Sequence, residues 1–128
     1  MNSTLEHANI TVSDPERTAA MLVDIFGWTI RWKGDSLMGG RTVHVGGPEL
    51  SDGYLAVYTT DDSPTVQSPR TGLSGLNHIG VLVDDLDATE QRVLAAGYET
   101  HTHMTYDPGS RFYFDDHDGV EFEVVSYT

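Results

Sequence analysis

The chain has 128 residues, about one domain's worth and long enough to bury a core without covalent staples. It contains no cysteine, which excludes disulfides, thiolate catalysis and sulfur-ligated zinc, so its chemistry must run on oxygen and nitrogen. Twenty acidic residues against seven basic ones give a formal charge of −13, which repels phosphate backbones and anionic membrane surfaces and argues against nucleic-acid and membrane partners.

Two stretches read alike. "LEHANITVSDPERTAAMLVDIFGWTI", from Leu5, and "LNHIGVLVDDLDATEQRVLAAGYET", from Leu76, each open with Leu-x-His, alternate through a short strand, reach an Asp-bearing cap, run through a helix and stop at glycine. In the first, Ser13-Asp14-Pro15-Glu16 combines a capping-box spacing with a proline suited to the first helical turn. Ala19, Leu22, Val23 and Phe26 recur at helical spacing, and Gly27 supplies a left-handed stop. Strands are predicted over 28–33, 41–45 and 54–59, separated by glycine-rich turns. Residues 61–74, rich in Ser, Pro, Gly and Asp without an apolar period, read as a linker.

In the second stretch Asp84 or Asp85 caps a helix whose apolar side is Leu86, Val93 and Ala96, and Gly97 ends it. Strands over 98–104, 111–115 and 120–127 follow. The predicted architecture is a single α+β domain over 1–128, with repeat 1 at about 4–60 and repeat 2 at about 75–128. Each repeat is a βαβββ module, and together they form a curved, cupped mixed sheet with helices on its outer face. No apolar run approaches the roughly 20 residues that span a bilayer. Residues 1–11 have neither the basic segment nor the apolar stretch of an export signal, so a cytoplasmic location is expected.

Alternation along a strand sorts side chains by face. Ala8, Ile10 and Val12 are expected against the helix, with His7, Asn9 and Thr11 on the opposite side. Ile79, Val81 and Val83 likewise oppose His78 and Gly80. Near the end of the chain Phe122 and Val124 face the helix, leaving Glu121, Glu123 and Val125 on the other side. Two imidazoles and a carboxylate thus point away from the core.

The paired Leu-x-His strands, the doubled βαβββ pattern and the closing "FYFDDHDGVEFEVV" resemble the vicinal oxygen chelate superfamily over nearly the whole chain. That group includes glyoxalase I, extradiol ring-cleaving dioxygenases, fosfomycin-resistance transferases and bleomycin-resistance proteins. The resemblance implies that His7, His78 and Glu123 bind a divalent metal, with Fe, Mn, Ni, Co or Zn suiting the donor set and positions left open for a substrate that chelates through adjacent oxygens. The glyoxalase I pattern has a fourth ligand where this chain has Ala56, a departure that favours the three-ligand members.

The resemblance also implies that Tyr113 orients or protonates a substrate oxygen and that His103 is an acid/base residue. Face alternation adds Asn9, Tyr54, Tyr58 and Arg111 as pocket residues, Arg111 as a possible counter-charge for an anionic substrate. Ring-cleaving oxygenation with Fe(II) is slightly favoured over glyoxalase-like lyase or isomerase chemistry. A fosfomycin transferase fits less well, because Lys33 is the only lysine available to a phosphonate. The alternative from another class is a metal-free binder of the bleomycin-resistance kind. The resemblance further implies a homodimer, in which exchanged repeats let His7 complete its neighbour's site.

Three features carry plainer readings. His101 and His103, two apart, would share a face of an unbroken strand as ligands or as polar wall residues. His44 reads as a strand-flank residue. "DDHDG" at 115–119 has part of a calcium-loop pattern, but without the later bidentate glutamate or flanking helices it reads as a hairpin turn.

Overall fold

Asp14 and Asp85 start the two helices, each with extended backbone and a side chain that accepts an amide three residues on, from Arg17 at 3.2 Å and from Ala88 at 3.0 Å. In the computed structural model, which describes residues 2–36, 39–60, 72–106 and 109–128, α1 spans Pro15–Phe26 and α2 spans Leu86–Ala95. Pro15 occupies the first turn of α1, and Gly27 closes it at φ 70° with its N–H bonded to the Val23 carbonyl. The end of α2 differs from expectation: the cap is Ala96 in the right-handed conformation, and Gly97 adopts φ 95° one residue later.

The strands are β1 (His7–Thr11), β2 (Thr29–Asp35), β3 (Arg41–Gly46) and β4 (Tyr54–Thr59) in the first half. The second half has β5 (Ile79–Leu82), β6 (Thr100–Tyr106), β7 (Gly109–Asp115) and β8 (Glu121–Ser126). They form two four-stranded mixed sheets, ordered β1-β4-β3-β2 and β5-β8-β7-β6. In each, the first strand runs parallel to the last and the other pairings are antiparallel. The α+β class and the doubled βαβββ module are therefore as the sequence implied. Contacts divide the chain into two units, Met1–Pro64 and Thr65–Thr128. Most of the predicted linker lies outside the described residues.

Each helix covers one face of its own sheet, α1 against β2, β3 and β4, and α2 against β6, β7 and β8. Ala19, Leu22 and Ile25 of α1 are fully buried, as are Val43, Val45 and Val57 of the first sheet. Val93 of α2 is fully buried, as are Phe112, Phe114, Phe122 and Val124 of the second. The apolar stripes are shifted from expectation. In α1 the buried set is Pro15, Thr18, Ala19, Met21, Leu22 and Ile25, whereas Val23 is 36 % exposed. In α2 Thr89 and Val93 are buried, and Ala96 is exposed because it lies past the last turn. Ala8 is also exposed, so the apolar contribution of β1 is Ile10.

The β7–β8 connection confirms a turn at 115–119. Oδ1 of the buried Asp116 accepts the amides of Asp118 at 2.8 Å and Val120 at 2.9 Å, and Gly119 supplies φ 79°. Burial raises the Asp116 carboxyl above its ordinary range, against the two backbone hydrogen bonds that lower it. A raised acid binds more protons folded than unfolded, so its contribution to stability falls as pH rises through the interval above the unfolded value. Asp116→Asn keeps the acceptor and removes the charge. Its melting temperature relative to wild type is expected to be higher at pH 7 than at pH 4, and a difference constant across that range would refute this account.

Candidate functional site

Glu123 is the centre of the open face of the second sheet. Register places it beside Gly80 on β5 and Tyr113 on β7. A side chain at Gly80 would meet nothing within 4 Å, so the position beside the carboxylate is open. The Tyr113 hydroxyl donates to Glu123 Oε1 at 2.5 Å, and Arg111 Nη1 donates to Oε2 at 3.0 Å. Arg111 and Glu123 are 13 % and 15 % exposed, so the ion pair is largely desolvated, and the guanidinium lies 4.6 Å over the Tyr106 ring. Arg111, expected as a counter-charge for substrate, is thus engaged by Glu123. The hydrogen bond to Glu123, then burial, pushes the Tyr113 phenol up to about 12. It is a proton holder and hydrogen-bond donor at neutral pH, not a base.

His78, immediately before β5, brings Nε2 to 3.4 Å from Glu123 Oε1. Two donor atoms each about 2.0–2.2 Å from one metal ion stand roughly 3–3.5 Å apart, so this pair fits one edge of a coordination sphere. Its Nδ1 is 2.7 Å from Asn77 Oδ1. An amide oxygen accepts only, so Nδ1 carries the proton and Nε2 is left with the lone pair a metal needs. The first repeat carries the same device: His7 Nδ1 is 2.8 Å from Glu6 Oε1, leaving Nε2 as its acceptor nitrogen. That hydrogen bond holds the Glu6 carboxyl below its ordinary range. Glu6 and Asn77 were not singled out from sequence, although each directly precedes its histidine.

The open face of the first sheet is an aromatic wall. Tyr54 stacks on His7 at 4.9 Å and on His44 at 4.7 Å, Trp32 packs on His44 at 5.1 Å, and Arg31 lies 4.8 Å over the Tyr54 ring. Burial, helped by the nearby Arg31 charge, lowers the His44 imidazole below its ordinary value. Asn9 shares this face opposite Ala56, which in turn pairs with His44. Tyr58 is tied by its hydroxyl to the Gly39 carbonyl at 3.1 Å, in the turn before β3. His44 and Trp32 are the members missed from sequence, because their pairing depends on a register shift between Ile30 and Trp32 that alternation does not reveal.

His103 requires a correction. His101 pairs with Tyr113 but Met104 pairs with Arg111, so β6 carries one extra residue, with Thr102 at φ 56°. That bulge turns His103 to the helix side, where Nε2 meets Glu90 Oε2 of α2 at 2.6 Å and the ring stacks on the buried Phe112 at 6.1 Å. His103 and Tyr113 therefore lie on opposite faces, and so do His101 and His103.

Among the described residues, no helix is long and apolar enough to cross a membrane. The glyoxalase/bleomycin resistance protein/dioxygenase superfamily model matches residues 4–124. The chain belongs to that superfamily. A crystal structure of a glyoxylase/bleomycin resistance protein/dioxygenase domain from Frankia sp. EAN1pec is 21 % identical with a TM-score of 0.84, over 100 % of this chain and 94 % of that one. The fosfomycin resistance protein FosX from Listeria monocytogenes, complexed with Mn(II) and sulfate ion, is 22 % identical with a TM-score of 0.73, over 100 % and 95 %. FosX from Mesorhizobium loti is 23 % identical with a TM-score of 0.69, over 97 % and 91 %. At these identities the likeness shows the fold alone. Comparison with curated protein sequences found no match.

Proposed function

We propose that this chain is a divalent-metal-dependent enzyme acting on a small molecule that chelates through adjacent oxygens, with His78 and Glu123 as metal ligands and His7 as the third ligand that the family resemblance adds. The observation carrying the reading is the His78 Nε2 to Glu123 Oε1 separation of 3.4 Å, with both groups oriented by neighbours. A bound Fe, Mn, Ni, Co or Zn ion supplies Lewis acidity, which stabilises negative charge on substrate oxygens near neutral pH. A Mn(II) complex of a protein of this fold supports the metal class. Arg111 keeps one oxygen of Glu123 occupied, while Tyr113 presents a retained proton beside the other.

The stacked His7, Tyr54, His44 and Trp32 rings give the first sheet a face suited to a planar, aromatic ligand. Within the class we favour ring-cleaving oxygenation of a catechol, with Tyr113 rather than His103 as the nearby proton donor. Glyoxalase-like chemistry is the neighbouring alternative. The reading includes a cytoplasmic homodimer. A second reading, a metal-free ligand binder, is favoured by Glu123 having partners for both oxygens within the chain.

Elemental analysis of wild type and His78→Ala separates the two. The enzyme reading expects one metal equivalent and turnover to be lost together in the variant, with oxygen consumption on a catechol panel and no hemithioacetal turnover. Equal metal content in both proteins, with aromatic ligands still bound by His78→Ala, would establish the binder instead.

A further inference from the structure

On the same sheet face, His101, Asp115 and Glu121 form a second cluster that shares no residue with the pair above. The three come from β6, β7 and β8, and one ligand atom of each lies within 4.8 Å of the others. Asp115 and Glu121 are direct cross-strand partners, so both carboxylates stand side by side on this face. His101, paired with Tyr113, is diagonal to Asp115 and directs Nε2 to 3.6 Å from Asp115 Oδ2.

That nitrogen is the telling atom. The ring as a whole is 41 % exposed, yet Nε2 is buried and has no hydrogen-bond partner. Its Nδ1 lies 2.8 Å from the Thr102 hydroxyl. With Nδ1 donating there, the Nε2 lone pair is directed toward the Asp115 carboxylate. A positive ion held by the nitrogen and the two carboxylates satisfies the buried lone pair.

We infer that His101, Asp115 and Glu121 bind a second divalent first-row transition ion, with water completing its coordination. One imidazole and two carboxylates form a mixed nitrogen and oxygen set suited to zinc and its neighbours. The donors need to close from 4.8 Å to roughly 3–3.5 Å, a change within the reach of side-chain torsions. Such an ion clips the bulged edge strand β6 to β7 and β8, beside the candidate active centre and independent of it. Glu121 stands two residues from Glu123 on β8, so the sites are about 7 Å apart along the strand.

The test is zinc titration calorimetry on metal-stripped, tag-free, full-length His78→Ala protein, which lacks a ligand of the first site. Uptake of about one equivalent is expected, with affinity reduced at least tenfold by adding either Asp115→Asn or Glu121→Gln. Zinc should also raise the melting temperature of His78→Ala but not of the double variants. These near-isosteric amides preserve packing, and circular dichroism checks that each protein is folded. Absence of zinc uptake by His78→Ala, or uptake unchanged within twofold in both double variants, overturns the inference. Neither result bears on the first site, which is read from the equivalent lost between wild type and His78→Ala.

Discussion

Glu123→Ala, studied in chelator so that metal plays no part, is expected to destabilise the fold by about 3 kcal/mol, the low end for one partner removed from a buried ion pair. The variant strands the Arg111 guanidinium, 13 % exposed, whose Nε already lacks a hydrogen-bond partner, and it deprives the Tyr113 hydroxyl of its acceptor. His78→Ala removes a ring that is 37 % exposed and bonded to its own neighbour, and should cost no more than about 1 kcal/mol. Urea unfolding of the two variants measures the gap. Equal losses would mean that the Arg111–Glu123–Tyr113 network contributes nothing beyond an exposed contact. Against a total stability of about 5–15 kcal/mol, the predicted gap decides how metal loss is read: in Glu123→Ala it is confounded by weakened folding, and in His78→Ala it is not.

Phe122→Ala should have the largest effect on stability. The ring is fully buried and stacks on Phe114 at 5.1 Å and 10°. Truncation leaves a cavity that the surrounding β-strands and α2 cannot fill, at a cost of about 3–5 kcal/mol and a fall in Tm on the order of 10–20 °C. Phe122→Leu, which retains most of the volume, should lose less than half as much. Because Phe122 lies between Glu121 and Glu123 on β8, Phe122→Ala should also weaken metal binding at both carboxylates. A thermal melt within a few degrees of wild type would show that the second sheet's core does not depend on this ring.

Much of the architecture was legible because it is encoded locally. The Asp14 and Asp85 caps, Pro15 and the Gly27 stop each act over a single helical turn, so four or five residues carry the signal. The alternation that buries Phe122 and Val124 and sends Glu123 outward is equally short-range, since it depends only on an unbroken extended backbone. Where the backbone is broken, the inference fails. The extra residue at Thr102 reversed the face of His103, and no local pattern in "THTHMTY" announces it.

The amino-acid sequence by itself therefore determined the two modules, the starts of both helices and the end of α1, and the outward set that includes His7, His78 and Glu123. Only the tertiary structure decided which outward groups meet: Arg111 and Tyr113 on Glu123, His44 and Trp32 on Tyr54, Glu90 on His103, and the cluster of His101, Asp115 and Glu121. The physical reason is range. Caps and alternation are settled among near neighbours, whereas cross-strand partners are fixed by register and bulges, which depend on pairing between segments distant in the chain.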